Sequence, residues 1–397
     1  MDSANGPEVA LGTSLQPGSL AQVVRRIADE VAGPASGQVD LEARFPEQAL
    51  TALKSEHLLG ALVPSNLGGL GATIRDMATA CETLAQRCAS TGLIYAMHQI
   101  QVHCLIRHSR HNALLRHYLT QLSEQQLLLA SATTESGVGG DVRTSLCSVV
   151  LEGDTFLLEK SAPVISYGVN ADAILVTARR APDAASGDQV LVLCTRDGTS
   201  LKPTATWDTL GFRGSCSEGY QLRARGPAAY VLPDSFALIS ALTMLPTSHI
   251  LWTAVWLGIA TDAVNRARAY LRAESRKQPG RMPPGALRLA QAVSSLQTMR
   301  ATLQDALQEY ESTMDDPDAL SAMGFALRMN NLKIAGARLV VEIVSEAMHV
   351  IGIAGYRRDS RYSVERHLRD AYGAGLMISN DRIYGANAAM LLVAKDA

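Results

Sequence analysis

The spacing of apolar residues changes twice along this chain of 397 residues, and this change constrains the fold more than any other feature. From about Leu20 to Leu127, apolar residues recur every three or four positions, which predicts amphipathic helices. From residue 128 to Asp234, short runs rich in β-branched residues are separated by turn residues and predict strands. From Phe236 onward the helical spacing returns in four long segments, a pattern typical of a helix bundle. The sequence therefore predicts an α+β fold in which a β domain separates two helical domains.

These changes of pattern predict three domains that follow a short tail. The expected boundaries are a flexible tail at 1–19, an N-terminal α-helical domain at 20–127, a middle β domain at 128–235 and a C-terminal helical bundle at 236–397. The tail lacks the basic region and the apolar core of a signal peptide. No run approaches the roughly 20 apolar residues that a membrane helix needs. We therefore expect a cytoplasmic protein without a membrane partner.

Composition narrows the class of function. The net charge of −2 and the aromatic content of 5% lack the basic surface and the stacking side chains of nucleic-acid-binding proteins. The six cysteines are scattered without a CxxC pair, so we expect reduced thiols rather than disulfides or a metal site. These features favour a soluble protein that handles small molecules, without nucleic acid and without a bound metal.

Seven short motifs follow one another across about 310 residues. They are "VPSNLGGLG" (63–71), "TTESGVGGD" (133–141), "VISYGVNAD" (164–172), "LGFRGS" (210–215), "SRKQPG" (275–280), "HVIGIAGY" (349–356) and "VERHLRDA" (364–371). In this order they resemble the motifs of the acyl-CoA dehydrogenases, a flavoprotein family. The resemblance implies an N-terminal helical domain, a middle β-barrel-like domain and a C-terminal four-helix bundle.

The same resemblance implies a flavin, either FAD or, for a monooxygenase supplied with reduced flavin, FMN. The positions that match flavin contacts of the family are Thr133, Thr134, Val164, Ser166, Arg276, Gln278, His349, Gly352 and Asn380. Ser166 keeps the hydroxyl that bonds flavin N5, whereas Val164 replaces the family's tryptophan. Arg276 matches the arginine that pairs with the FAD pyrophosphate across a subunit interface, a role suited to a guanidinium group. The resemblance therefore also implies a homo-oligomer, most simply a homotetramer.

The catalytic base of the family is absent from both of its known positions. These positions correspond to Ile378 and Ser248, and neither side chain can take the α-proton of a thioester. Asp381 lies three residues beyond Ile378, one helical turn along the same face, and is therefore a possible displaced base. His249 is a second candidate, since a free histidine has a pKa of about 6.5. Asp381 could equally be a solvated carboxylate, and His249 a buried histidine with satisfied hydrogen bonds.

Three functions are compatible with these residues. The first is an FAD-dependent oxidoreductase that acts on the CH–CH group of an acyl thioester, bound to CoA or a carrier protein, and passes electrons to a protein partner. The second is a two-component flavin monooxygenase or N-hydroxylase that depends on a flavin reductase. In oxygenase members a histidine and a serine lie near the flavin, and His98 and Ser166 could take these places, although His98 could also be structural. The third is a non-catalytic homologue that binds a flavin or an acyl chain.

Overall fold

The N-terminal part of the chain is helical, as its periodicity predicts. The computed structural model describes residues 17–109, 111–139 and 141–393. The predicted tail therefore lies outside the described residues up to residue 16, and residues 17–19 belong to the first helix. The N-terminal helices are α1 (Pro17–Ile27), α2 (Gly33–Leu41), α3 (Glu47–Ser55), α4 (Ile74–Ala85), α5 (Ala89–His108) and α6 (Ala113–Gln125), with a π-helical turn at Ala28–Ala32.

A glycine loop separates α3 from α4. A Cβ atom on Gly69 would lie 1.9 Å from the carbonyl oxygen of Val63, so only glycine fits this close approach of two backbone segments. The loop ends at a capping box, in which the Thr73 hydroxyl accepts from the Asp76 amide and the Asp76 carboxylate accepts from the Thr73 amide. The motif "VPSNLGGLG" is therefore a fixed turn that sets where α4 begins.

The middle domain consists of two sheets. Its strands are β1 (Leu129–Ala132), β2 (Val150–Glu152), β3 (Thr155–Ile165), β4 (Ala173–Arg179), β5 (Gln189–Thr195), β6 (Thr199–Ala205) and β7 (Glu218–Pro227). One sheet has the order β1-β4-β5, and the other has the order β2-β3-β7-β6. Only the β1–β4 pair is parallel among these strands, and contacts of β1 with β3 and of β5 with β7 join the two sheets.

The C-terminal domain is a helix bundle. Its helices are α7 (Phe236–Ile239), α8 (Leu245–Lys277), α9 (Ala286–Thr313), α10 (Pro317–Ser321), α11 (Met323–Ile351), α12 (Ile353–Tyr356), α13 (Glu365–Leu376) and α14 (Asn380–Leu391). One continuous apolar core passes through all three domains and includes Leu53, Val192 and Trp256. The α+β fold class with its three successive domains is thus confirmed.

The predicted fourth long helix of the bundle is two short helices. Helix α13 ends before Met377, whose ψ of 108° is extended, and Ile378 has a left-handed φ of +46°. A β-branched residue rarely adopts this conformation, because its Cβ crowds the backbone. The chain therefore turns at residues 377–379 before α14 begins.

The helical segment Phe236–Lys277 contains an 18-residue window with a mean hydropathy of 1.4, which by length and composition alone would be enough to cross a membrane. However, 72% of the apolar window is buried inside the protein. Its apolar character is accounted for by packing, since Trp256, Ile250 and Leu257 on α8 are fully buried.

Two sequence motifs meet where the middle domain contacts the bundle. A Cβ atom on Gly211 would lie 2.3 Å from the Arg369 carbonyl oxygen. The Phe212 amide donates to the Asp370 carboxylate at 2.6 Å, and Arg369 donates to the Leu210 carbonyl at 2.8 Å. Burial raises the pKa of Asp370 to about 6. The motifs "LGFRGS" and "VERHLRDA" therefore form one joint between the domains.

Candidate active site

Four of the predicted flavin contacts lie together at one edge of the middle domain. Thr133 and Thr134 directly follow β1, while Val164 belongs to the end of β3 and Ser166 comes directly after it. The Thr134 hydroxyl donates to the Val164 carbonyl at 3.2 Å and so ties the two segments together. Ser166 is 8% exposed, which leaves its hydroxyl at the boundary of the core.

A buried ion pair supports this edge, and it was not predicted from the sequence. Lys160 Nζ lies 3.4 Å from the Glu135 carboxylate and donates to the Thr177 carbonyl at 2.7 Å. Glu135 accepts from the Ser145 hydroxyl at 2.6 Å and from the Cys147 amide at 2.7 Å, which closes the loop that follows β1. Burial lowers the pKa of Lys160, and the charge of Glu135 opposes that shift.

The signal for this ion pair was present in the sequence. Alternate residues of β3 are buried, namely Phe156, Leu158, Lys160 and Ala162. A lysine at an inward position of such a pattern requires a buried partner, since an unpaired charge in the core is costly.

Behind Ser166 lies a row of three hydroxyl groups. The Ser217 hydroxyl donates to Ser166 Oγ at 2.8 Å, and Ser215 Oγ lies 2.7 Å from Ser217 Oγ. Ser217 and Ser215 are 4% and 1% exposed. Within the part of the chain that the structure describes, no acceptor receives the proton of Ser166 itself.

A buried lysine lies beneath the turn that contains Ile378. Lys333 Nζ donates to the Ile378 carbonyl at 2.7 Å and to Asn380 Oδ1 at 2.6 Å, and it lies 5.8 Å from the centre of the Trp256 ring. Burial lowers the pKa of Lys333 to about 8. The predicted flavin contact Asn380 is therefore held by an ammonium group, and the side chain of Ile378 is 44% exposed.

Asp381 does not share a helical face with Ile378, and the expectation that it would was wrong. Ile378 belongs to the turn, and α14 begins only at Asn380, so no helical face joins the two residues. Asp381 is exposed in the first turn of α14, where a carboxylate is favourable near the amide ends of the helix.

His98 uses both ring nitrogens inside the protein. Its Nδ1 accepts from the Leu129 amide at 3.0 Å, so Nε2 carries the proton and donates to the Leu59 carbonyl at 2.9 Å. The residue is fully buried, and burial lowers the pKa of His98 to about 4. This geometry is that of a structural histidine that joins the N-terminal domain to β1, and it leaves no nitrogen for a substrate.

His249 is buried on α8 next to Ser248. Its Nδ1 lies 3.0 Å from the Met329 carbonyl, which accepts the Nδ1 proton and leaves the lone pair on Nε2. Burial, with a smaller effect of the Lys333 charge, lowers the pKa of His249 to about 3. The imidazole is therefore neutral at pH 7 and is a weak base.

The remaining predicted flavin contacts lie at the ends of bundle helices. Arg276 and Gln278 are exposed at the end of α8, and His349 is exposed near the end of α11, which Gly352 terminates with a φ of +69°. Their predicted role at the flavin of a neighbouring subunit stays a prediction. Across residues 17–109, 111–139 and 141–393 there is no group of three or more side chains suited to a metal ion.

The chain has a helical domain, a sheet domain and a helix bundle in this order, with hydroxyl groups at one edge of the sheet domain. This is the architecture expected of the flavin-dependent oxidoreductases that the motifs resemble. The family description "Acyl-CoA dehydrogenase, N-terminal domain" matches residues 18–126, and "Acyl-CoA dehydrogenase, C-terminal domain" matches residues 239–377. The chain therefore belongs to the acyl-CoA dehydrogenase family, and it is an oxidoreductase of that class.

One relative is similar in sequence over most of its length, and two solved structures have the same fold. The short-chain-specific acyl-CoA dehydrogenase of Clostridium acetobutylicum is 25% identical over 368 residues, which cover 88% of this chain and 90% of that protein. Butyryl-CoA dehydrogenase from Megasphaera elsdenii superposes with a TM-score of 0.79 at 19% identity, over 98% of this chain and 100% of that chain. The FMN-bound dibenzothiophene monooxygenase TdsC from Paenibacillus sp. A11-2 gives 0.82 at 19% identity, over 94% and 97%.

Proposed function

We propose that this protein is an FAD-dependent oxidoreductase that acts on the CH–CH group of an acyl thioester, bound to CoA or to a carrier protein. The match to a protein named acyl-CoA dehydrogenase over about nine-tenths of both chains supports this proposal. Both family domains are present, on either side of the middle domain.

The observation that carries the proposal is the free proton of Ser166. Thr134 and Val164 lie beside it, so this edge combines hydroxyl groups with an apolar surface. A flavin ring has apolar faces and a polar edge with acceptor atoms, and the Ser166 donor beside an apolar side chain fits it. When bound, the flavin would accept a hydride from the β-carbon of the substrate. FMN is the alternative cofactor for the same edge.

The α-proton of the thioester needs a base within hydrogen-bond reach. We propose His249 as the first candidate, because its Nε2 lone pair has no partner among the residues that the structure describes, while Nδ1 is bound to the Met329 carbonyl. Its pKa of about 3 predicts slow proton removal. Asp381 remains a second candidate from the surface of α14 and would require the turn at residues 377–379 to move.

A glutamate restored at residue 378 should accelerate proton removal. We expect Ile378→Glu to raise the rate of anaerobic flavin bleaching by an acyl thioester by about 100-fold or more, the usual contribution of a positioned base. Ile378→Gln is the matched control, because it has the same size and cannot accept the proton. The measurement is stopped-flow absorbance of the oxidised flavin band with a panel of acyl-CoA and acyl-carrier-protein substrates.

The bleaching rate of the wild-type protein in the same experiment distinguishes the candidate functions. Slow bleaching by at least one thioester supports the dehydrogenase. Bleaching only after Ile378→Glu would mean that the pocket accepts thioesters but that the natural reaction is another one. A purified protein that binds no flavin would contradict the proposal and support the non-catalytic homologue.

A two-component flavin monooxygenase is the second candidate. The observation that favours it is the absence of a carboxylate at Ile378 and Ser248, since oxygenation does not require removal of an α-proton. The FMN-bound monooxygenase with a TM-score of 0.82 has the same fold. Oxygen consumption with reduced flavin supplied by a reductase, and no bleaching by any thioester, would favour this candidate.

The proposed assembly is a cytoplasmic homotetramer that exchanges electrons with a protein partner or receives reduced flavin from a reductase. Apolar side chains near the predicted subunit contacts support it, because Ile353 and Tyr356 are 74% and 70% exposed in the single chain. We expect light scattering to give the mass of four chains, and Ile353→Asp to lower both the mass and the flavin content. A monomer with full flavin content would contradict the assembly.

A further inference from the structure

We propose that Ser217 is a positioning residue that turns the Ser166 proton toward the flavin and thereby favours the oxidised over the reduced form of the cofactor. This inference rests on the proposed function. It adds residues that no sequence motif assigned to the cofactor, and it concerns the direction of a single hydrogen bond.

The direction follows from the donors and acceptors of the three serines. Ser217 donates to Ser166 Oγ at 2.8 Å, so the oxygen of Ser166 is used as an acceptor from the core side. A serine hydroxyl has one proton, which Ser166 must then direct elsewhere. Ser215, at 2.7 Å from Ser217, completes the row and can donate in the same sense.

Burial keeps this direction fixed. Ser215 and Ser217 are 1% and 4% exposed, so water does not compete for their hydroxyl groups. Hydrogen bonds that follow one another in a low-dielectric interior polarise each other, which strengthens the last donor in the row. Ser166 is that last donor.

The backbone around the row is also fixed in an uncommon conformation. Tyr167, next to Ser166, has a φ of +42°, and Cys216, between the other two serines, has a φ of +45°. The Tyr167 amide donates to the Ser215 carbonyl at 2.8 Å, which connects the two strained segments. Such strain persists only where the surroundings determine it, often at functional sites.

The preference for oxidised flavin follows from the chemistry of N5. Oxidised flavin has a lone pair at N5 and accepts a hydrogen bond there, whereas reduced flavin carries a hydrogen at N5. Because Ser217 holds the Ser166 hydroxyl as a donor, this hydroxyl can bond N5 of the oxidised form but not N5 of the reduced form. Without Ser217, the Ser166 hydroxyl could rotate and accept as well as donate.

The test compares flavin affinity in both redox states. We expect Ser217→Ala to weaken binding of oxidised flavin to the apoprotein by about 5- to 10-fold, because the Ser166 hydroxyl is then no longer held as a donor. This is about the contribution of one hydrogen bond. Binding of reduced flavin, measured anaerobically, should change by less than about 2-fold, because that form needs an acceptor. Flavin fluorescence gives the affinity for the oxidised form. The reduction potential of the bound flavin, which should rise, gives the affinity for the reduced form through the thermodynamic cycle.

Three further variants separate the loss of the hydrogen bond from a change of size or a failure to fold. Ser217→Thr keeps the hydroxyl and should retain the wild-type ratio of affinities. Ser217→Cys keeps the size with a weak donor, and should resemble Ser217→Ala even if the alanine variant folds poorly. Ser200→Ala, exposed on β6, is the surface control. If Ser217→Ala lost affinity equally for both flavin forms, or lost none, the inference would be overturned. The proposed function would still stand as long as the wild-type protein bound flavin. A wild-type protein without flavin affinity would overturn both.

Discussion

His98→Ala should cost about 3–5 kcal/mol of unfolding free energy at pH 7.5, through the cavity and the loss of two hydrogen bonds to the backbone. His98 bonds the Leu59 carbonyl and the Leu129 amide and so connects two domains. Without the imidazole, the Leu129 amide loses its partner, whereas the Leu59 carbonyl still accepts from the Gln99 side-chain amide at 3.3 Å. Urea unfolding followed by circular dichroism measures the loss. A stable variant that has lost only its activity would instead support the catalytic role that the sequence suggested for His98.

The same variant should also change how stability depends on pH. The pKa of His98 is about 4 in the folded protein, below the usual value of about 6.5, so its contribution is complete above pH 6.5 and is lost as pH falls toward 4. The cost of His98→Ala should therefore shrink by about 2 kcal/mol between pH 7.5 and pH 5. His117→Ala, on the exposed face of α6, should change stability by less than about 0.5 kcal/mol. A cost that is the same at both pH values would contradict a folded-state pKa near 4.

Gly211→Ala should be among the most destabilising single substitutions in the chain. The added Cβ would lie 2.3 Å from the Arg369 carbonyl oxygen and 2.7 Å from the Asp370 amide nitrogen. Both are backbone atoms, so no side chain can rotate away, and the middle domain must shift from the bundle. We expect a loss of at least about 3 kcal/mol in urea unfolding.

Gly37→Ala is the matched control for this prediction. Gly37 is exposed in the interior of α2, and an added Cβ there would meet nothing within 4 Å. Because alanine favours the helix, this variant should gain up to about 1 kcal/mol. If Gly211→Ala were as stable as the wild-type protein, the contact between "LGFRGS" and "VERHLRDA" would have to be open in solution.

The sequence predicted the order of domains because helix and strand periodicities differ strongly and persist over many residues. The family motifs suggested Thr134, Val164 and Ser166 as flavin contacts, and in the structure these residues lie at one edge of the middle domain. Their role at a flavin stays a prediction. The hydroxyl row was not predicted, because Ser217 meets Ser166 only through the pairing of β3 with β7 across 51 residues.

The turn at Ile378 could not be predicted for a different reason. Apolar spacing suggests a continuous helix there, and a β-branched residue gives no local signal for a left-handed φ. The turn is held by Lys333, which lies 45 residues earlier in the chain, so its cause is tertiary. The error over Asp381 follows directly, since the prediction assumed that the helix continued.

The close contact of Gly211 with Arg369 also limits how this chain can exchange segments with its relatives. A chimera that takes its middle domain from one protein and its bundle from another would bring together a glycine turn and a helix start that were never selected for each other. Recombination within the family should therefore succeed more often when both motifs come from the same parent. The two motifs, 159 residues apart from Leu210 to Arg369, would then be inherited as a unit.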